Sequence, residues 1–225
     1  MINKFIWTRR NPPAMLDAHS AITAISASSA IATSAMTAAT ANLACLDVAT
    51  NAKGQRTAAV IRDGQPAFWI LSSPAVPLFA PSAYKGVSGQ DQSGRLSLCL
   101  NAGPGVMEDA ESLDQWAISY ATLHSDRLFG KALSKEQVTD RYNAIVKKSD
   151  KYPPFLKMKI SADRGAPTYW DANKVPREAP QNWQMCSLLC RAKIMGMWFM
   201  GTSFGLTVQL ADAQVVEEGT ASCPF

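Results

Sequence analysis

Met195-Gly196-Met197-Trp198-Phe199-Met200-Gly201-Thr202-Ser203-Phe204-Gly205-Leu206-Thr207-Val208-Gln209-Leu210 reads as the centre of a β-hairpin. Gly201-Thr202 is a two-residue turn, with Gly at the position where a type II′ turn needs a positive φ. The first strand runs from Gln184 to Met200, with an interruption expected at Gly196. The second runs from Ser203 to Val216. Phe204, Leu206, Val208 and Leu210 point one way along it; Ser203, Gly205, Thr207 and Gln209 point the other. Alternation with apolar neighbours sends Trp198 and Phe204 to the core.

Further strands lie on the N-terminal side. Thr57-Ala58-Ala59-Val60-Ile61-Arg62 precedes Asp63-Gly64, a strong hairpin signal, and Pro66–Leu71 returns. Arg95–Leu100 alternates after a loop region holding Pro74, Pro77 and Pro81. Phe155-Leu156-Lys157-Met158-Lys159-Ile160 alternates strictly, lysines on one face and apolar residues on the other. Between these strands lies a helical insert, 107–148. Its first helix, Met107 to about His124, repeats Leu113, Trp116, Ala117, Tyr120 and Leu123 at spacings of three and four. Glu108, Asp109, Glu111 and Asp114 read as acids that compensate the helix dipole. Ser134-Lys135-Glu136-Gln137 has capping-box spacing and opens a second helix expected to reach Lys148. Residues 161–182 read as a long polar loop. The class is mainly β with a helical insert (α+β), a small barrel of five or six strands, closed or partly open. The domain spans 45–216. An Ala/Ser/Thr-rich arm, 1–44, precedes it, and an acidic tail, 217–225, ends in Phe225.

The 225 residues are 47% apolar and 18% charged, a globular composition. The charge is uneven. Residues 131–193 hold thirteen Lys/Arg against six Asp/Glu, whereas 194–225 hold only Asp212, Glu217 and Glu218. A basic block of this kind suits a polyanion partner. The five cysteines are irregularly spaced and match no disulfide framework. Cys186 and Cys190 share one strand face and read as buried free thiols, in keeping with an intracellular, reducing compartment. The stretch Ala18–Leu46 lacks Asp, Glu, Lys and Arg and is long enough to span a bilayer, but it is mostly Ala, Ser and Thr and too weakly hydrophobic to read as a membrane span.

Catalytic patterns are missing. The two histidines, His19 and His124, supply no Ser-His-Asp arrangement and no metal set with the cysteines. Gly103-Pro104-Gly105 lacks the Lys-Ser/Thr pair of a phosphate loop. The chain reads as a binding protein without cofactor rather than an enzyme. Lysines and aromatics interleave instead. Lys147, Lys148, Lys151 and Tyr152 lead into the strand bearing Lys157 and Lys159. Tyr169 and Trp170 sit in the polar loop, and Arg191 and Lys193 share a face of the hairpin. Such cations neutralise phosphates, and exposed rings stack bases.

The runs Leu113–Ser125, Lys131–Val138 and Val146–Ile160, with Tyr142 and the closing stretch from Ile194 to Val215, resemble the single-stranded DNA-binding proteins of large nucleocytoplasmic and algal DNA viruses. Those are in turn similar to the helix-destabilising proteins of small-tailed phages. The resemblance covers about residues 55–216. It implies an OB-fold barrel that binds single-stranded DNA, with RNA as an alternative, in replication, recombination or repair. It also implies contacts by Lys151, Tyr152, Lys157, Lys159, Arg191 and Lys193. Glu217, Glu218 and Phe225 would recruit replication proteins, and a homo-oligomer is compatible with the pattern. The rival expectation is a structural or virion-associated protein without strand-specific binding.

Overall fold

The computed structural model describes residues 40–52, 54–85, 91–161 and 165–218. In chain order its elements are β1 (Leu43–Thr50), β2 (Arg56–Arg62), β3 (Gln65–Ile70), β4 (Ser82–Lys85), β5 (Asp91–Asn101), α1 (Pro104–Leu123), α2 (Ser125–Phe129) and α3 (Lys135–Thr139). Then follow β6 (Tyr142–Asn143), β7 (Val146–Lys147), β8 (Phe155–Ser161), β9 (Thr168–Trp170), β10 (Pro176–Arg177), β11 (Cys186–Met200) and β12 (Ser203–Glu218). Among the described residues no helix is long and apolar enough to cross a membrane.

The β11–β12 hairpin is the spine. Met200 pairs with Ser203 across Gly201, whose φ of 58° is the positive value that the type II′ turn requires. One edge of the spine takes β3 at Arg191–Ile194 and β2 at Gly196–Phe199. The other edge takes three short parallel partners in series: β6 at Phe204, β8 at Gln209 and β9 at Asp212–Gln214. The β2–β3 turn has positive φ at Asp63 and Gly64, the type I′ geometry of an Asp-Gly hairpin.

The sheet is open rather than a closed barrel, and among the described residues it has twelve strands rather than five or six. Its main path runs β1-β2-β3-β11-β12-β8-β5-β4. Among the described residues, the segment after β3 runs between β11 and β5. That segment makes two isolated bridges, Ala75 with Leu188 and Pro77 with Leu100. Pro74 and Pro77 carry no N–H, so a continuous ladder cannot form there.

Three other expectations change. The second helix starts at its capping box, where Ser134 Oγ accepts from Gln137 N and Gln137 Oε1 from Ser134 N. It stops at Thr139, because Tyr142 pairs with β12 and the Ile145 N–H donates to Asp114 instead of continuing the helical ladder. The proposed arm loses its last two residues: Leu43 and Ala44 belong to β1, and Leu43 is buried. The arm up to residue 39 lies outside the described residues. The loop 161–182 contains β9 and β10. Its turn is built by Asp171, whose Oδ1 accepts from the N–H groups of Asn173 and Val175.

One core joins sheet and helices. α1 buries Val106, Ala110, Leu113, Ala117 and Ala121 at helical spacing, while Leu123, expected on the same stripe, is 79% exposed. β8 alternates as expected: Leu156, Met158 and Ile160 are buried, and Lys157 and Lys159 are exposed.

Candidate nucleic-acid interface

Strand register lays out one face of the sheet. Paired residues on neighbouring strands point to the same side. Phe68, Lys193, Gln209, Lys159 and Ser97 are successive partners across β3, β11, β12, β8 and β5. Lys157 stands opposite Cys99 on the same face. Four of the expected cations, Lys157, Lys159, Arg191 and Lys193, therefore share this side.

Trp198 joins them through a β-bulge. Ile194 pairs with Val208, but Gly196 pairs with Thr207, so Met195 is the extra residue. A one-residue insertion swaps the faces of everything beyond it. Phe199 becomes buried, and Trp198 turns to the lysine face, half-buried. This corrects the expectation that Trp198 lies in the core. Gly196 allows the bulge: a Cβ there would meet the Ala58 carbonyl oxygen at 2.4 Å. Gly205, the partner of Trp198, allows the ring to lie down. A Cβ at 205 would sit 2.9 Å from the indole and 2.8 Å from the Asn143 carbonyl oxygen. The available signal was a Gly inside a strand, which marks a bulge or a close approach.

Between β8 and β12, where only Gln209 pairs with Lys159, the strands part and a cleft of about 800 Å³ opens. Ile145, Leu206 and Val208 form apolar lining, and Trp198 lies among them. Lys147, Lys157 and Lys159 bring cations to the same cleft. Asn51 and Gln55, from the β1–β2 turn, close one side, their amides joined by a 2.9 Å hydrogen bond.

The wall that holds Lys147 is fixed from α1. Asp114 Oδ1 accepts from Tyr142 Oη at 2.5 Å and from Ile145 N at 3.2 Å. So Asp114 tethers the segment Tyr142–Lys147 rather than compensating a helix dipole. Burial pushes its carboxyl up to about 6, against the opposing pull of those hydrogen bonds and of Lys147. Lys147 donates to Ala144 O at 2.6 Å. Burial lowers its pKa; Asp114 opposes this, and the neighbouring Lys157 adds to it. Asp109 has a comparable tethering role, accepting from Ser72 N.

The remaining expected residues lie elsewhere. Lys148, Lys151 and Tyr152 are exposed on the loop between β7 and β8. Arg191 is on the basic face, but Asp212 Oδ2 accepts from its Nε at 2.8 Å and its Nη2 at 2.5 Å, and it stacks 4.8 Å from the Phe68 ring. Tyr169 is buried, edge-on to Trp183 at 5.7 Å, so its ring is closed to a base; this corrects its expected contact role. Its register with buried Ala213 turns it inward. Trp170 is half-buried on β9 and is not part of the cleft. Glu217 and Glu218 are not a free tail: their backbones continue β12, opposite Ser187 and Cys186. Phe225 lies outside the described residues. Cys45 and Cys190 are buried free thiols and Cys99 is a half-buried one, while Cys186 is buried and its Sγ donates to Trp183 O at 3.2 Å. Burial raises the Cys45 and Cys190 thiols to about 12, which makes them poor nucleophiles.

No family model and no curated protein matches the chain. Solved structures similar to it include the single-stranded DNA-binding protein from bacteriophage Enc34 in complex with ssDNA. It is 10% identical, with a TM-score of 0.44, over 78% of this chain and 97% of that one. A second structure of that phage protein is 9% identical, with a TM-score of 0.43, over 80% and 94%. Its C-terminal truncation is 9% identical, with a TM-score of 0.42, over 78% and 96%.

Proposed function

We propose that this chain binds single-stranded DNA along the lysine-bearing face, protecting or presenting exposed strands in replication, recombination or repair. The observation that carries the reading is the Trp198 ring in one cleft with Lys147, Lys157 and Lys159. A stacking surface beside phosphate-neutralising cations is what an unpaired strand requires. A base inside a duplex offers no free face to such a ring. The function needs no bond-making chemistry and no cofactor. Recruitment of replication proteins by Glu217, Glu218 and Phe225, and a reducing intracellular setting for the cysteines, belong to the same proposal.

Titration with single- and double-stranded oligonucleotides at two salt concentrations, read by tryptophan fluorescence, tests it. The single strand should bind more tightly. Three lysine contacts should give a slope of log K against log salt of about −2. Equal affinity for duplex, or binding indifferent to salt, would refute the reading. Assembly without nucleic acid and no response to oligo(dT) would favour the structural alternative. An RNA oligonucleotide of the same sequence measures the preference for sugar.

A further inference from the structure

The β7–β8 hairpin carries the basic face beyond the cleft. Lys147 lines the cleft and pairs with Phe155, so residues 148–154 form the hairpin's connecting loop. Tyr152 on that loop meets Phe79 edge-on, ring centroids 5.3 Å apart and planes at 86°. Lys151 Nζ lies 5.4 Å from the Tyr152 ring centre. Phe79 is 42% exposed and Tyr152 37%. Single exposed apolar residues are ordinary, but two exposed rings in contact, with an ammonium over one of them, make a platform.

The platform is held in place. Phe79 follows the strap between β3 and β4, whose Leu78 N–H donates to Cys99 O and whose Val76 O accepts from Asn101 N. Asn101 in turn pairs with Phe155, the residue opposite Lys147. Strap, β5, β8 and β7 thus tie the platform to the cleft wall through backbone hydrogen bonds. The loop bears Lys148 and Lys151 against one acid, Asp150.

We infer that Phe79, Tyr152 and Lys151 form a second nucleotide subsite, which takes a base further along the same single strand that occupies the cleft. This rests on the strand-binding reading of the cleft. Phe79 stacks the base with Tyr152 braced behind it, while Lys151 and Lys148 face the phosphates. Continuity with the cleft through Lys147 favours the same strand over a separate partner.

Oligo(dT) of about 4 and about 16 nucleotides, which brackets site sizes of such proteins, separates the two subsites. Phe79→Ala should weaken the longer oligonucleotide about tenfold, the loss expected for one stacked base, and leave the shorter one unchanged. Phe79→Trp should restore the longer. Trp198→Ala should weaken both. If Phe79→Ala binds the longer oligonucleotide as wild type does while Trp198→Ala loses both, the second subsite is wrong and the cleft stands. If neither variant changes the affinity of either oligonucleotide, both readings fall.

Discussion

Trp198 and Tyr169 lie on the two strands that flank β12, and they face opposite ways. Trp198 pairs with Gly205 and turns its ring onto the lysine face. Tyr169 pairs with Ala213 and turns inward, where it meets Trp183 and where burial raises its hydroxyl to about 12. The ring types are similar, and so is the β12 partner strand. What differs is the phase of each strand against β12, set on one side by a bulge and on the other by a short parallel pairing. Whether an aromatic residue can meet a ligand here depends on that phase rather than on the polarity of its sequence neighbours.

The hardest blow to this contrast is Gly196→Ala. The new Cβ would fall 2.4 Å from the Ala58 carbonyl oxygen, which is main chain and cannot rotate away. Either β2 separates from β11 or the bulge is lost, and losing the bulge would send Trp198 inward. A destabilisation of about 3 kcal/mol is expected from denaturant unfolding. A loss below about 1 kcal/mol would mean that the bulge is not held by this approach.

Next in size is the pair of ring truncations. Tyr169→Ala should cost about 3 kcal/mol of stability and leave the affinity of the folded protein for oligo(dT) unchanged. Trp198→Ala should do the reverse: about 2 kcal/mol of binding lost, by analogy with one stacked base, and a smaller change in unfolding midpoint. Equal effects of both variants on binding would erase the distinction drawn between the two strands.

The same two residues show how far the sequence could be read. Hairpins were legible where a turn has a private chemical requirement, as at Asp63-Gly64 and Gly201-Thr202. The lysine stripe was legible because Phe155–Ile160 alternates without a bulge. Trp198 was not, because an interruption expected at Gly196 does not reveal that one residue is inserted, and period-two counting carried past it keeps Trp198 on the core face. The early end of α3 was not either. Tyr142 and Ile145 sit at helical spacing, and it is the distant Asp114 carboxylate together with the pairing of Tyr142 to β12 that makes another backbone path better. Burial of Tyr169 was hidden for a related reason. β9 exists only through its pairing with β12 and β10.

The smallest expected effect tests how far the basic face extends. Arg191 points to the same side as Lys193, yet its guanidinium is held by Asp212 and lies against Phe68. Asp212→Asn would keep the hydrogen-bonding shape and remove the charge. An ion pair with Arg191 nearly half-exposed contributes little, so stability should fall by no more than about 1 kcal/mol. The freed cation, still positioned by the Phe68 ring, should take a phosphate. The salt slope for single-stranded DNA should then steepen by about 0.7, with a few-fold gain in affinity at low salt. An unchanged slope would place Arg191 off the path of the strand, because a cation in reach of a phosphate cannot gain a free charge without releasing a further counterion on binding. The interface would then end at Lys193.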